Sequence, residues 1–354
     1  MTPAALGYRL PPEWAPQQAV WLSWPVDNPA HWGGAKHALL RAKFAEVAAA
    51  ISRFETVRIN AAATDHAAVR SACLAAGADP ARVELFDHPH DDVWCRDHGP
   101  LFVQHHDHGG LAVTDWQFNA WGGKFSPFDQ DNEIPRRVAA ALGLPRFDAA
   151  VVLEGGAIDV NAAGQLLTTE AVLLNPNRNP HLDRAAVEHH LRQFLGVTEI
   201  LWLGRGLEGD DTDGHVDDLA RFVDDATIAA ASEPDRSSPN HRALADNHAR
   251  LRRFRSPAGR PFEVVDLPLP SACEAPGWRL PVLPASYTNF LILNGAVLVP
   301  TFRQPRHDDR ALATLRELFP TRQVLGIDCL DLLEEGGALH CISMQQPQPG
   351  TPTR

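Results

Sequence analysis

The chain has 354 residues and a mass of 38.7 kDa, enough for one large domain or two ordinary ones with a real core. Its 44% hydrophobic and 21% charged residues, with 29 Pro and 25 Gly dispersed along it, exclude a disordered chain. A net charge of -12 is the wrong sign for gripping a phosphate backbone, so no nucleic-acid partner is expected and cationic partners are favoured.

From the N-terminus, MTPAALGYRLPPEW has no basic stretch followed by an apolar core. No apolar run approaches the roughly 18 residues of a membrane span, so no membrane association is expected. A strand is expected at AVWLSW, then a helix in which Leu40, Phe44, Val47, Ile51 and Phe54 recur at steps of four and three. Further helical stretches fall near residues 63–76, 131–142, 183–195, 239–254 and 307–319, with strands at VRIN, RVELF, EILWL, FEVV and RQVLGI. Hairpins are readable in LFVQHHDHGGLAVTDW, AIDVNAAGQLLTTE, LARFVDDATIAAA and FLILNGAVLVPTF, with turns near residues 108, 163, 225 and 295. That recurrence, about every 55 to 70 residues, predicts an α/β fold built from a degenerate hairpin, helix and strand unit repeated around a ring. No linker or charge block divides the chain, so residues 1–354 are expected to form a single domain, with 348–354 a frayed tail. The five Cys, at 73, 95, 273, 329 and 341, are far apart and include no Cys-x-x-Cys pair. Neither a disulfide framework nor a structural zinc site is suggested, and a reducing cytoplasm is the expected location.

Four segments place polar residues against apolar runs: DDVWCRDHGPLFV, LEGGAIDV, GDDTDGHVDDLARFV and EGGALHCISMQQP. On a strand, His215 and Asp217 would share one face; the competing reading is a solvated strand end near Asp210, Asp211 and Asp213. Cys341 in ALHCISM would lie on a strand with His340 pointing away, so a base for its thiol would come from elsewhere, and His215 is the better candidate; alternatively Cys341 is an inert packed residue. The Gly-Gly pairs at 155–156 and 336–337 permit close approaches that a β-carbon would obstruct.

PPEWAPQQAVWLSWPVDN, DDVWCRDHGP, FNAWGGK, LEGGAIDV, LLNPNRNP, GDDTDGHVDD, LPASYTNF and GGALHCISMQQP occur in the order found in agmatine deiminases. From about residue 8 to Pro347 the chain resembles that family, whose relatives include the bacterial peptidylarginine deiminases. The resemblance implies the pentein fold, a five-bladed α/β propeller with pseudo-fivefold repeats. It also implies five active-site residues: Asp97 and Asp217 holding a guanidinium, Glu154 orienting it and the histidine, His215 moving protons, and Cys341 as nucleophile. Trp94, Asn119 and Trp121 are expected to line the pocket. The implied reaction is hydrolysis of agmatine to N-carbamoylputrescine and ammonia through a covalent thiouronium, in putrescine (polyamine) biosynthesis. No cofactor and no metal is expected, and family members commonly pair as homodimers.

The chemistry explains those residue types. A guanidinium stays protonated to a pKa above about 12 and its carbon resists attack, so paired carboxylates must fix the cation before a thiolate can add. Neighbouring carboxylates raise the pKa of the thiol, whereas a bound cation lowers it, so the thiolate is expected to form when substrate arrives. The acidic run Glu208, Asp210, Asp211 and Asp213 favours a distal ammonium, with Arg205 the one nearby candidate for an α-carboxylate; alternatively, these acids only cap a turn. Free or peptidyl arginine are the alternative substrates, and a non-catalytic cation-binding protein of this fold or amidino transfer to an amine are alternative functions. Four positions depart from the family pattern: His98 for Thr, Asp159 for His, and Asp213 and Asp218 for Asn, with His98 expected to alter the charge beside Asp97. DHPHDD and QHHDHGG offer a rival metal-hydrolase reading, against which both segments read as loop or hairpin turn.

Overall fold

The computed structural model describes residues 1–27, 35–274 and 282–350. Four stretches repeat one connection: an antiparallel hairpin, a helix, and a third strand parallel to the second. The first pairs Leu101–His105 with Leu111–Gln117, crosses by the helix Ile134–Leu142 and returns as Arg146–Val152. The second runs through Asp159–Val160, Gln165–Thr169, helix Arg184–Leu195 and Glu199–Leu203. The third uses Ala220–Phe222, Thr227–Ser232, helix His241–Leu251 and Glu263–Pro268. The fourth uses Leu291–Ile292, Ala296–Thr301, helix Pro305–Leu318 and Gln323–Asp328. A parallel third strand requires a crossover long enough to pass over the sheet, which is why a helix recurs at the same place in each unit.

The fifth unit is split between the ends of the chain. Ser343–Pro347 lies antiparallel to Gln17–Ser23, which continues through helix Ala35–Ser52 to the parallel strands Thr56–Ala61 and Val83–Asp87. The C-terminal strand thereby closes the fold onto its beginning. Residues 348–350 are not frayed: Gln348 N–H donates to Pro16 O at 2.8 Å and Gly350 N–H to Gly109 O at 2.9 Å. Residues 351–354 of the expected tail lie outside the described residues.

Local chemistry sets the unit boundaries. Gly109 (φ 66°) and Gly164 (φ 84°) take the left-handed conformation at two hairpin turns, where a β-carbon would be strained. Asp183 accepts the N–H of Ala186 at 2.9 Å to start one crossover helix, and Gly196, also left-handed, ends it. Trp21, Phe44, Phe102, Phe222, Tyr287 and Phe290 are fully buried between sheets and helices. Among the described residues, no helix is long and apolar enough to cross a membrane.

The repeat has one consequence that matters for chemistry. The segment entering each hairpin carries a polar group of one cluster: Asp97 before the first hairpin, Glu154 and Gly156 before the second, His215 and Asp217 before the third, Asn289 before the fourth and Cys341 before the fifth.

Candidate active site

Asp97 sits in the short helix Cys95–His98. One oxygen accepts the N–H of Gly156 at 3.1 Å and lies 3.7 Å from His215 Nδ1; the other accepts the indole N–H of Trp121 at 3.0 Å. His215 Nε2 is 3.9 Å from Glu154 Oε2. Cys341 Sγ is 4.0 Å from Asp217 Oδ2, and the amide of Asn289 donates to Sγ at 3.1 Å and to Asp218 Oδ1 at 3.0 Å. The five residues expected from motif therefore converge on one cluster, each buried to within 5% of full exclusion.

Two expected local geometries are corrected. His215 and Asp217 are not on a strand: Val216–Asp218 form one 3-10 turn with His215 as its N-cap. Gly214 (φ 117°) turns the chain sharply, Thr169 Oγ1 donates to Gly214 O at 2.7 Å, and Thr212 Oγ1 accepts His215 N–H at 3.1 Å. Cys341 likewise lies in a tight turn spanning 339–342, just before the strand Ser343–Pro347. Asn289 Oδ1 accepts the backbone N–H of His340 at 2.9 Å and that of Cys341 at 3.4 Å, which fixes the turn.

Both Gly-Gly pairs serve close packing. A β-carbon on Gly156 would lie 2.5 Å from His215 Nδ1, and one on Gly337 would lie 2.4 Å from the Trp94 ring. Trp121 carries backbone strain, with φ 54° and Ala120 at φ 51° before it. Asn119 supports that loop: it accepts Gly122 N–H at 2.8 Å and donates to Asn177 O at 3.0 Å.

Above the cluster is a cavity with about 430 Å³ of space, including its mouth. Trp94, Trp121 and Phe125 supply aromatic walls; Asp92, Asp97, Asp211 and Glu335 supply carboxylates; Cys341 lies at its base. Of the expected acidic run, Asp211 alone is part of this lining. Asp213 is neutralised by Arg178 at 2.6 Å and Lys124 at 2.7 Å, Asp210 accepts from Thr212, and Glu208 and Arg205 border a separate groove.

Electrostatics follow from burial and neighbours. Burial pushes Asp97 up to about 6, with Asp217 and Glu154 adding to the shift. Burial would lower His215, but Asp97, Glu154 and Asp217 together raise it to about 10. Glu154 is held below the usual carboxylate range despite burial because Arg178 lies 2.6 Å away, and Asp217 is held down, also against burial, by His340. Burial, with Asp217, Asp218 and Asp97 nearby, pushes the Cys341 thiol well up. Burial, with Asp217 and Asp210 nearby, pushes Asp218 well up as well.

His98 does not alter the charge beside Asp97. Burial holds it well below the usual histidine range, and its Nε2 lies 2.9 Å from Ser23 Oγ. The ligand atoms of His105, His106 and Asp107 lie within 4.8 Å of one another at the first hairpin turn, the feature behind the rival metal reading. Yet Asp107 N–H donates to His105 Nδ1, and Gly110 N–H to His108 Nδ1. Those bonds engage the Nδ1 lone pairs of His105 and His108. Asp217, Asp218 and Cys341 also cluster within 4.8 Å, but the Asn289 amide lies between Cys341 and Asp218.

Sequence reasoning missed Arg178, Asn289, Asp92 and Glu335. Each had a signal: Asn289 occupies, in LPASYTNF, the repeat position held by Asp97 and Cys341, Arg178 lies in LLNPNRNP, Asp92 in DDVWCRDHGPLFV, and Glu335 opens EGGALHCISMQQP.

The Porphyromonas-type peptidyl-arginine deiminase family matches residues 9–347. An agmatine deiminase of Stutzerimonas stutzeri is 39% identical, with 98% of each chain covered, and one of Medicago truncatula is 36% identical with the same coverage. The solved structure of the agmatine deiminase of Enterococcus faecalis superposes with a TM-score of 0.90 at 32% identity over 98% of each chain. A shared fold at that identity over the full length leaves a single assignment. The chain belongs to the Porphyromonas-type peptidyl-arginine deiminase family.

Proposed function

We propose that this protein is an agmatine deiminase that hydrolyses agmatine to N-carbamoylputrescine and ammonia through a covalent Cys341 intermediate, supplying putrescine synthesis in the cytoplasm. One observation carries the choice of substrate: a cavity with Cys341 at its base and Asp92, Asp211 and Glu335 among its walls, with no Lys or Arg among the described lining residues. Agmatine is a dication, with a guanidinium for the base and an ammonium for the wall. Free arginine would bring an α-carboxylate against those acids, and like charge there costs several kcal/mol.

Asp97 and Asp217 hold the guanidinium plane through paired charge-assisted hydrogen bonds, which keeps it cationic and orients its carbon. The bound cation offsets the carboxylates that keep the thiol protonated; Cys341 gives up its proton to solvent and its sulfur bonds to the carbon. His215, held charged by its three acidic neighbours, donates its proton to the departing nitrogen. The C–N bond breaks, ammonia leaves, and an S-alkylthiouronium remains. Neutral His215 then takes a proton from water as its oxygen adds to the same carbon. The C–S bond breaks, and the departing Cys341 thiolate takes up the hydroxyl proton, which gives the ureido product and restores the thiol.

Incubating the protein separately with agmatine, arginine and a blocked arginine peptide, and measuring ammonia and ureido product, tests this reading. Agmatine is expected to exceed both others in kcat/KM by at least about 100-fold; faster turnover of either alternative overturns the substrate assignment. Asp211→Asn should raise KM for agmatine about tenfold with kcat little changed, because the ammonium is held equally before and during reaction.

Gly156→Ala gives a separate expectation. Its methyl would stand 2.5 Å from His215 Nδ1, 2.9 Å from Asp97 Oδ1 and 3.1 Å from Asp217 Oδ2, so the cluster must spread. A displacement of that size should lower kcat/KM by at least about 100-fold, and ammonia release with a melting curve as control checks it.

A further inference from the structure

We infer that Glu13 and His340 are positioning residues that hold Asp217 from behind and aim its second oxygen at the guanidinium. His340 Nδ1 lies 2.7 Å from Asp217 Oδ2, and its Nε2 lies 2.8 Å from Glu13 Oε2. Carboxylate oxygens accept, so the imidazole serves as donor on both sides. Glu13 Oε2 also accepts from Arg221 Nη2 at 2.5 Å, and Arg221 Nε donates to Asp159 Oδ1 at 3.0 Å. The result is a row of acid, imidazole, acid, guanidinium and acid, every member at most 8% exposed, leading away from the candidate active site.

The far end is fixed by backbone. Glu13 Oε1 accepts Ile292 N–H at 2.7 Å, Arg221 Nη1 donates to Phe290 O at 3.0 Å, and Asp159 Oδ2 accepts Phe222 N–H at 2.6 Å. Four of the five units thereby contribute to one rigid support, and Asp159, a departure from the family pattern, is its outer member. Burying so many charges costs desolvation that apolar packing would avoid, which argues for a task other than stability.

At the near end, Asp217 Oδ1 has no hydrogen-bond partner and is the atom left for a ligand. Fixing the His340 ring also fixes the turn that carries Cys341, because Asn289 Oδ1 accepts from both residues' N–H groups. The Glu13–His340 pair therefore sets the carboxylate and the thiol relative to one another.

This inference rests on the guanidine-hydrolysis reading, and its test separates the two. Glu13→Gln is expected to lower kcat/KM at least about tenfold for whichever guanidine the full-length wild type turns over. His340→Gln should lose more, and Asp159→Asn less, in the same order as their places in the row. In the Cys341→Ala background, binding of that guanidine is followed by tryptophan fluorescence. There Glu13→Gln should weaken binding when Asp217 is present and change it less than twofold when combined with Asp217→Asn. Equal weakening in both backgrounds, or a Glu13→Gln enzyme within twofold of wild type, overturns the inference while leaving the deiminase reading intact. If His340→Gln fails to fold, Glu13→Gln and Asp159→Asn carry the test. If wild type turns over no guanidine, the deiminase reading fails and protection of Cys341 from iodoacetamide by methylguanidinium becomes the readout. Protection diminished by Glu13→Gln only when Asp217 is present supports the inference; absence of protection in wild type overturns both.

Discussion

Cys341→Ala is expected to lower agmatine turnover by at least about 10,000-fold while changing agmatine binding less than about tenfold. The two outcomes separate because different groups carry them. Binding rests on Asp97 and Asp217, which alanine at 341 leaves in place, and on the aromatic walls from Trp94 and Trp121. Chemistry rests on the sulfur, since a thiolate is a far stronger nucleophile than water toward a resonance-stabilised guanidinium. Among the described residues, the other four cysteines are buried free thiols, and none of them belongs to the cluster around Asp217. Ammonia release measures the first quantity and a tryptophan fluorescence titration the second. Turnover by the alanine variant near the wild-type rate would mean that no thiouronium forms.

His215→Asn should reduce kcat by about 100- to 10,000-fold, the usual contribution of a positioned acid and base. The pH dependence should identify the groups. Asp97 is raised to about 6, so kcat/KM should fall as pH drops through about 6, where protonation removes one of the two anions that hold the substrate. His215 is raised to about 10, so no change is expected near the ordinary histidine value, and the alkaline fall should begin only near 10, where the proton donor is lost. In His215→Asn the alkaline fall should vanish while the acid limb remains. An acid limb that disappears with His215 instead would show that the histidine, and not Asp97, titrates there.

The same residue links stability to pH. Because its folded pKa lies above the ordinary value of 6.5, His215 contributes stability that is fully present below about 6.5 and is lost as pH rises through about 10. Asp97, also raised, acts with the same sign over a lower window: stability is lost as pH rises from its ordinary value of 3.8 through about 6, where burial as an anion begins to cost.

Local sequence determined a great deal. The switch between a two-residue and a near-four-residue apolar period placed the four contiguous hairpins and their crossover helices within a few residues, because those periods are imposed by each segment's own backbone. The family resemblance carried by the order of short motifs singled out Asp97, Glu154, His215, Asp217 and Cys341, which the fold gathers. The fifth hairpin could not be read the same way, since Gln17–Ser23 and Ser343–Pro347 pair from opposite ends of the chain with no turn between them. Nor could the 3-10 turn at Val216–Asp218, where one glycine and two threonine hydroxyls override an apparent strand. Tertiary structure alone decided which acids line the cavity: Asp213 is paired with Arg178 and Lys124, while Asp92 and Glu335 join Asp211 from distant segments. It alone placed Glu13 against His340, on either side of an imidazole that meets Asp217. The physical reason is common to all of these. A backbone period reports which face of an element is buried, but a side chain's charge state and partner depend on atoms that chain closure brings near, and those leave no spacing in the sequence.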